Sequence, residues 1–163
     1  EIQHSKNINT LCNIPENETK NYLKIIKNQR IRNRAQHVIE EQHRVIKAID
    51  YLNSSNLTQF GSLLTDSHYS LKNLYEVSTK KLDLLVSLAL DHKDVLGARL
   101  TGAGFGGSII ALVKKESSTE LIKVIKKKYK KETSLDAQIL ALDHSQIPES
   151  ELLIYPKDIC KTG

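Results

Sequence analysis

The spacing of apolar residues along this chain changes near residue 92. Before that point apolar residues recur every three or four positions, which is the period of a helix with one buried face. This spacing predicts a long amphipathic helix over residues 30–52, a second helix over 58–65 and a third over 79–92. The positions expected to be buried on the first and third helices are Ala35, Val38, Val45, Ile49 and Leu52, and Leu82, Leu85, Val86 and Ala89.

After residue 92, short apolar runs replace the helical spacing. GARLTG, residues 97–102, and SIIALV, residues 108–113, have the composition of strands, and QILALD, residues 138–143, is a further strand candidate. A helix is predicted over residues 121–132, because apolar residues fall on one side of it and lysines on the other. Helices followed by a strand, a turn, a strand, a helix and a third strand predict an α+β domain.

The predicted lysine-rich helix has a defined start and a defined buried side. Ser117 and Glu120 match a capping box, in which two side chains satisfy backbone donors at a helix N-terminus. The chain has a formal net charge of +5, much of it on this helix, but no aromatic residues interleave with the lysines to stack bases. We therefore expect a solvated face rather than a phosphate-binding stripe, and no nucleic-acid partner. The expected buried positions are Leu121, Ile122, Ile125 and Tyr129.

Composition narrows the class of protein. A chain of 163 residues with 39% apolar and 26% charged residues fits one globular domain with its own core. It contains no apolar run long enough to cross a membrane, and its first ten residues lack the apolar core of a signal peptide. Cys12 and Cys160 are too few for a disulfide framework. We expect a cytoplasmic protein without a membrane partner and, because the chain contains no methionine, part of a longer polypeptide.

Glycine is concentrated at one point, since five of the seven glycines lie between residues 97 and 107. A glycine-rich connection between two strands can adopt positive φ angles and approach a neighbouring backbone closely. Its amides can also converge on an anion. Gly102, Gly104 and Gly107 have the spacing of a dinucleotide-binding fingerprint, but a strand-like run follows them where that motif requires a helix. Taken alone, these glycines favour a tight hairpin turn over a binding loop.

Several polar residues permit a functional and a structural interpretation. Ser67 and His68 resemble a nucleophile and its base, but adjacent side chains diverge and no orienting acid is evident, so a structural or interdomain role is favoured. Asp83, on the third predicted helix, either contacts substrate or faces solvent, and the sequence does not decide between these.

Two further pairs are spaced one helical turn apart. His37 and Glu41 have the spacing of two metal ligands, but no third ligand accompanies them, so a pair on the helix surface is favoured. Glu40 and Arg44 form a similar pair. We therefore expect no metal site in this chain.

Three segments carry a resemblance to a known family. GARLTGAGFGGSIIALV, residues 97–113, resembles the third motif of the GHMP kinases. SHYSLKNLYEVSTKKLDLLV, residues 67–86, and RAQHVIEEQHRVIKAI, residues 34–49, are similar to segments of the galactokinase branch of that family, in the same order. The chain departs from the family pattern at a few positions: Leu100 replaces a usual methionine, Ser108 a usual cysteine, and Asn73 and Leu74 two acidic residues.

The resemblance implies a division of the chain into a domain and a tail. Residues 1–143 are assigned to a GHMP kinase C-terminal domain, helical over 1–92 and with a glycine-rich β-hairpin and an αβ unit over 97–143. Residues 144–163 are an unmatched tail. The fold that the resemblance implies is α+β, a ferredoxin-like sheet with packed helices.

The activity that the resemblance implies is transfer of a phosphoryl group from ATP, with Mg²⁺, to the 1-hydroxyl group of galactose. In the family, the phosphate-binding loop, the base-like aspartate and its arginine neighbour belong to an N-terminal domain. We therefore expect no catalytic residue in this chain, an N-terminal kinase domain as its missing partner, and no activity of the chain alone. The site residues that the resemblance assigns here act by backbone proximity and are Gly102, Ala103, Gly104, Phe105, Gly106 and Gly107.

Two alternatives remain open at this point. The chain could be the C-terminal domain of another GHMP small-molecule kinase, because the residues that select galactose would lie mostly upstream. It could also be a domain of the same fold that binds a ligand and catalyses nothing.

Overall fold

The computed structural model describes residues 8–142, so the tail over 144–163 lies outside the described residues. Two short 3₁₀ turns, Leu11–Asn13 and Glu16–Glu18, precede the first helix, and a third, Lys115–Ser117, precedes the last. A π-helical turn, Leu71–Tyr75, continues the third helix. The helices and strands are α1 Thr19–Ile25, α2 Gln29–Asn53, α3 Leu57–Ser70, α4 Lys80–Leu90, β1 Val95–Thr101, β2 Ser108–Val113 and α5 Ser118–Thr133.

The long helix α2 extends one residue beyond the predicted range at each end, but its buried face differs from the prediction. It begins where the Asn28 side chain accepts a hydrogen bond from the Ile31 amide. Its buried residues are Ala35, His37 and Ile39. The predicted stripe is wrong toward the C-terminal end, where Val45 and Leu52 are 37% and 48% exposed. No described element covers these two side chains, so spacing alone overestimated the width of the contact.

Helix α3 begins one residue before the predicted range and extends five residues beyond its end. Its last turn contains Ser67, His68 and Ser70, whose polar side chains give no apolar period, yet all three are buried. They are satisfied by hydrogen bonds with α2 and β1, which explains why burial occurs without hydrophobicity. Glu76, the residue after the π-helical turn, has a left-handed backbone with φ of 63°.

Helix α4 agrees with its predicted position. The Thr79 hydroxyl caps it by accepting a hydrogen bond from the Leu82 amide. Leu82, Val86 and Ala89 are buried as predicted. Leu85 was also predicted to be buried but is half-buried, because it faces an open cleft. Leu88 is buried instead.

Strands β1 and β2 form the predicted antiparallel hairpin, with Arg99 opposite Ile110. Helix α3 lies along the outer edge of β1. The Ala98 amide donates to the Thr65 hydroxyl at 3.4 Å, and the Leu100 amide donates to His68 Nδ1 at 3.3 Å. The side chains of α3 thus satisfy strand donors that no neighbouring strand of the described region reaches.

Helix α5 has its buried side where it was predicted, although it begins differently. Leu121, Ile125 and Tyr129 are buried, and Ile122 is half-buried. The predicted capping box is wrong, because the Ser117 side chain does not cap the helix. Its hydroxyl donates to the Asp94 carboxylate at 2.7 Å, which connects the start of α5 to the loop before β1.

The third strand predicted at 138–143 is not formed over residues 138–142. Ala137 and Ile139 pack against the core, but no strand of the described region pairs with this segment. Strand composition does not produce a strand without a partner for its backbone groups. Of the ferredoxin-like sheet expected from the resemblance, residues 8–142 contain the β1–β2 hairpin packed with helices, which confirms the α+β class.

The buried side chains form three clusters. The N-terminal cluster joins the first turns, α1 and α2. A second cluster lies between the π-helical turn, α4 and β1, and contains Leu71, Val77, Leu82 and Leu100. The third lies between α4, β1 and α5, and contains Val86, Leu88, Ala89, Ala98, Leu121, Ile125 and Tyr129. The second and third clusters hold the hairpin in a fixed position, and with it the glycine-rich connection at its tip.

Candidate functional site

The connection between β1 and β2, residues 102–107, is called the glycine loop here. Its backbone is left-handed at Gly102, Gly104 and Phe105, with φ of 82°, 81° and 59°, and φ is also positive at Gly106 and Gly107. Phe105 is 75% exposed, so its side chain makes little contact with the core. The loop therefore has the conformation that its glycines predicted, with one non-glycine residue included in it.

The glycine loop is attached to the segment that joins the π-helical turn to α4. The Phe105 amide donates a hydrogen bond of 2.7 Å to the Val77 carbonyl oxygen. A Cβ atom at Gly104 would overlap that same oxygen and lie 2.7 Å from the Val77 Cβ. Glycine is required at 104 by this close approach, in addition to its positive φ.

An open cleft of about 500 Å³ lies beside the glycine loop. Gly106 and Gly107 form part of one wall, and the first turn of α4 contributes Lys80 and Lys81. The first turn of a helix has backbone amides without helical partners and the positive end of the helix dipole. Most of the lining surface is apolar, and the charged residues that line the cleft in the described part of the chain are Lys80 and Lys81.

Asp83 contacts three neighbouring segments, a role that the sequence did not predict. Its Oδ1 accepts a hydrogen bond from Ser78 Oγ at 2.6 Å and lies 3.4 Å from His68 Nε2. Its Oδ2 lies 2.9 Å from the Lys72 ammonium group. Burial raises the pKa of Asp83, but the hydrogen bonds from Ser78 and Lys72 and the charge of Lys72 outweigh it, so the pKa lies below its ordinary value.

His68 is a buried acceptor, with 2% of its surface exposed. Because Nδ1 accepts the Leu100 amide proton, the neutral ring carries its own proton on Nε2, which faces Asp83. Burial lowers the pKa of His68, and the nearby Asp83 charge offsets part of that effect. The Ser67 hydroxyl instead donates to Glu41 at 2.6 Å, so the two residues do not form a nucleophile and its base. The structural role favoured from the sequence is the one observed.

Glu41 joins α2 to α3 and β1. It accepts hydrogen bonds from Ser67, from Arg44 Nε at 2.8 Å and from Arg99 Nη1 at 2.9 Å. Burial raises the pKa of Glu41, but these hydrogen bonds and the two arginine charges hold it below its ordinary value. A charged carboxylate with this many donors is stable in a partly buried position.

The surface pair predicted for His37 and Glu41 is wrong, because both side chains turn inward to different partners. His37 Nδ1 lies 2.9 Å from Ser70 Oγ, and its ring packs on Tyr75 with centroids 4.7 Å apart. Burial lowers the pKa of His37. Residues 8–142 contain no group of side chains arranged to hold a metal ion.

The predicted pair of Glu40 and Arg44 is present as an ion pair of 3.7 Å. The hydrogen bonds from Arg99 to Glu41 and from Ser78 to Asp83 were not predicted from the sequence. An arginine inside the otherwise apolar strand GARLTG was the available signal for the first. The Val77 carbonyl that holds the glycine loop is a backbone group, so no residue type indicates it.

Comparison with known proteins identifies relatives over most of the chain. The family description "GHMP kinases C terminal" matches residues 48–131, which is more than half of the chain. A galactokinase of Clostridium acetobutylicum is 45% identical over 129 residues, which cover 79% of this chain and 33% of the relative. A galactokinase of Bacillus subtilis is 36% identical over 143 residues, which cover 88% of this chain and 37% of the relative.

The same similarity is found in three dimensions. The crystal structure of Lactococcus lactis galactokinase complexed with galactose superimposes with a TM-score of 0.75 at 36% sequence identity, over 79% of this chain and 33% of that one. This chain thus spans about a third of the length of the relatives it matches. No helix within residues 8–142 is both long and apolar enough to cross a bilayer. The hairpin, its glycine loop and the helices around them have the fold of the C-terminal domain of these enzymes, and the chain belongs to the GHMP kinase family.

Proposed function

We propose that this chain acts as the C-terminal part of a galactokinase, which transfers the γ-phosphoryl group of ATP to the 1-hydroxyl group of galactose in the cytoplasm. The observation that carries the proposal is the 36–45% identity to galactokinases over 79–88% of the chain. The structural neighbour was solved with galactose bound, which supports the same substrate. The N-terminal domain of such a kinase is the proposed partner.

The glycine loop and the cleft beside it would form the part of the active site that this chain supplies. In the proposed reaction ATP supplies the phosphoryl group, and the two lysines on the lining of the cleft are the groups that would attract its phosphates. Gly106 and Gly107 contribute only backbone atoms to the wall of the cleft. A Cβ atom at either position would project into open space, with no protein atom within 4 Å. Lys80 and Lys81 add positive charge, which stabilises the negative charge of phosphoryl transfer.

The described residues do not fit a complete catalytic centre. The cleft has no carboxylate that could orient the galactose hydroxyl group, and residues 8–142 have no cluster of metal ligands. We therefore assign no base and no ligand of Mg²⁺ to residues 8–142. The part of the chain that the structure describes acts in the proposed reaction by shaping the cleft and by placing positive charge beside it.

A coupled ADP-release assay with galactose, ATP and Mg²⁺ tests the proposal. Three samples are compared: this chain alone, the N-terminal region of the Clostridium acetobutylicum galactokinase alone, and the two joined in one polypeptide. We expect turnover only when both parts are present, because each part alone provides only some of the groups that surround the reacting atoms. Substantial turnover by this chain alone would contradict the proposal, and so would a joined enzyme without turnover on galactose.

A further inference from the structure

We propose that Asp83 is a positioning residue for the glycine loop, and that it acts through Ser78 and the Val77 carbonyl group. The inference rests on the proposed function for its effect on catalysis, but its structural part concerns this chain alone. A half-buried carboxylate outside the cleft thus controls the loop that forms the cleft wall.

The first step is that Asp83 fixes Ser78. The Oδ1 atom of Asp83 accepts a hydrogen bond of 2.6 Å from the Ser78 hydroxyl group, and Oδ2 lies 2.9 Å from the Lys72 ammonium group. The Nε2 atom of His68, a residue buried against β1, lies 3.4 Å from the Asp83 Oδ1 atom. An ionised acceptor makes a stronger hydrogen bond than a neutral one, so the Ser78 side chain has one preferred position.

The second step is that fixing Ser78 fixes the Val77 carbonyl group. The Val77 carbonyl group lies in the same peptide plane as the Ser78 nitrogen and Cα atoms, so restricting the position of Ser78 restricts the direction of the Val77 oxygen. Val77 is 5% exposed and its amide donates to the Leu71 carbonyl at 3.1 Å. The segment between the π-helical turn and α4 is therefore held at Leu71 on one side and at Asp83 on the other.

The third step is that the Val77 carbonyl holds the glycine loop. Phe105 has a left-handed backbone that is unfavourable for a residue with a side chain, and this conformation persists only when its surroundings impose it. Its side chain is 75% exposed and contributes little packing. The hydrogen bond of 2.7 Å from its amide to Val77, with Gly104 packed against the same group, is the contact that imposes it.

Loss of this arrangement should free the loop without unfolding the domain. Gly106 and Gly107 follow Phe105 directly and line the cleft, so a mobile Phe105 leaves that wall undefined. A loosened wall lowers the fraction of bound complexes with reacting groups in place, which reduces kcat more than it changes the KM for galactose.

Amide hydrogen exchange measured by NMR on this chain tests the structural part. In Ser78→Ala and Asp83→Ala we expect the Phe105 amide to exchange about tenfold faster, while the Ala98 amide, held by Thr65, keeps its rate. The matched controls are Ser87→Ala and Asp91→Ala, which change exposed residues elsewhere on or next to α4. An unchanged Phe105 rate would overturn the proposal, and so would equal acceleration at Phe105 and Ala98, which indicates general destabilisation.

Kinetics of the joined galactokinase test the catalytic part. We expect Ser78→Ala to lower kcat about tenfold with a nearly constant KM for galactose, and Ser78→Thr, which keeps the hydroxyl group, to restore most of it. An unchanged kcat beside a faster Phe105 exchange would overturn the positioning role. If the parent enzyme does not phosphorylate galactose, the proposed function fails, whereas the exchange experiment still decides whether Asp83 holds the loop.

Discussion

At the scale of single residues, the glycine loop separates two reasons for the presence of glycine. Gly102 and Gly104 have almost the same φ, 82° and 81°. A Cβ atom at Gly102 would meet no atom within 4 Å, whereas one at Gly104 would overlap the Val77 carbonyl group. Conformation alone requires glycine at the first position, and conformation together with lack of space requires it at the second.

This pair gives a matched prediction for stability. Gly102→Ala should lower the free energy of unfolding by about 1–2 kcal/mol, the usual cost of a left-handed residue with a side chain. Gly104→Ala should cost more, because the methyl group must also displace the carbonyl oxygen that accepts the Phe105 amide. Urea unfolding of both variants measures the difference. Equal losses would show that the approach of Val77 to the loop is not close in solution.

At the scale of elements, the sequence predicted those that are defined by local pattern. Helices α2 and α4 were predicted because an apolar period marks them, and in the structure the Asn28 and Thr79 side chains cap them. The end of α3 was missed because Ser67 and His68 are buried through hydrogen bonds to distant elements, which no local period records. The strand predicted at 138–143 was wrong over its described residues because pairing depends on a neighbour.

Helix α4 provides a test of which predicted core positions support the fold. Leu82 is 2% exposed, whereas Leu85 lines the cleft and is half-buried. Leu82→Ala should therefore lower the free energy of unfolding by about 2–5 kcal/mol, and Leu85→Ala by clearly less. Chemical denaturation of the two variants provides the comparison. A larger loss for Leu85→Ala would mean that another segment covers the cleft in solution.

At the scale of the whole molecule, four titratable groups are partly or fully buried. Glu41 ties α2 to α3 and β1, and Asp83 ties α4 to the turn before it. His37 and His68 are buried beside them as neutral acceptors or donors. Folding therefore depends on the protonation of four groups, and all four are affected by acid in the same direction.

The sign of that dependence follows from the pKa shifts. Burial lowers the pKa of His37 and His68 below the ordinary value of 6.5, so the unfolded chain binds protons that the folded chain does not. Stability should be constant above about pH 7 and fall below pH 6.5, by up to about 1.4 kcal/mol per pH unit for each histidine. The lowered pKa values of Glu41 and Asp83 add a further loss as the pH approaches their range.

Urea unfolding between pH 5 and 8 measures this slope, and His68→Gln identifies its source. The glutamine amide oxygen can accept the Leu100 proton but does not titrate, so this variant should be less stable at pH 8 yet show a smaller loss on acidification. A slope identical to that of the parent would assign the pH dependence to other groups.

The position of α3 along β1 also determines how the sheet can be extended. The Ala98 and Leu100 amides already donate hydrogen bonds to Thr65 and His68. The backbones of Gly61 and Gly97 are also in direct contact, so no strand can be inserted between α3 and β1. No strand of the described region pairs with the far edge of β2. Growth of this sheet, whether by another segment of a kinase or by a second copy of the chain, can therefore proceed in one direction only, outward from β2.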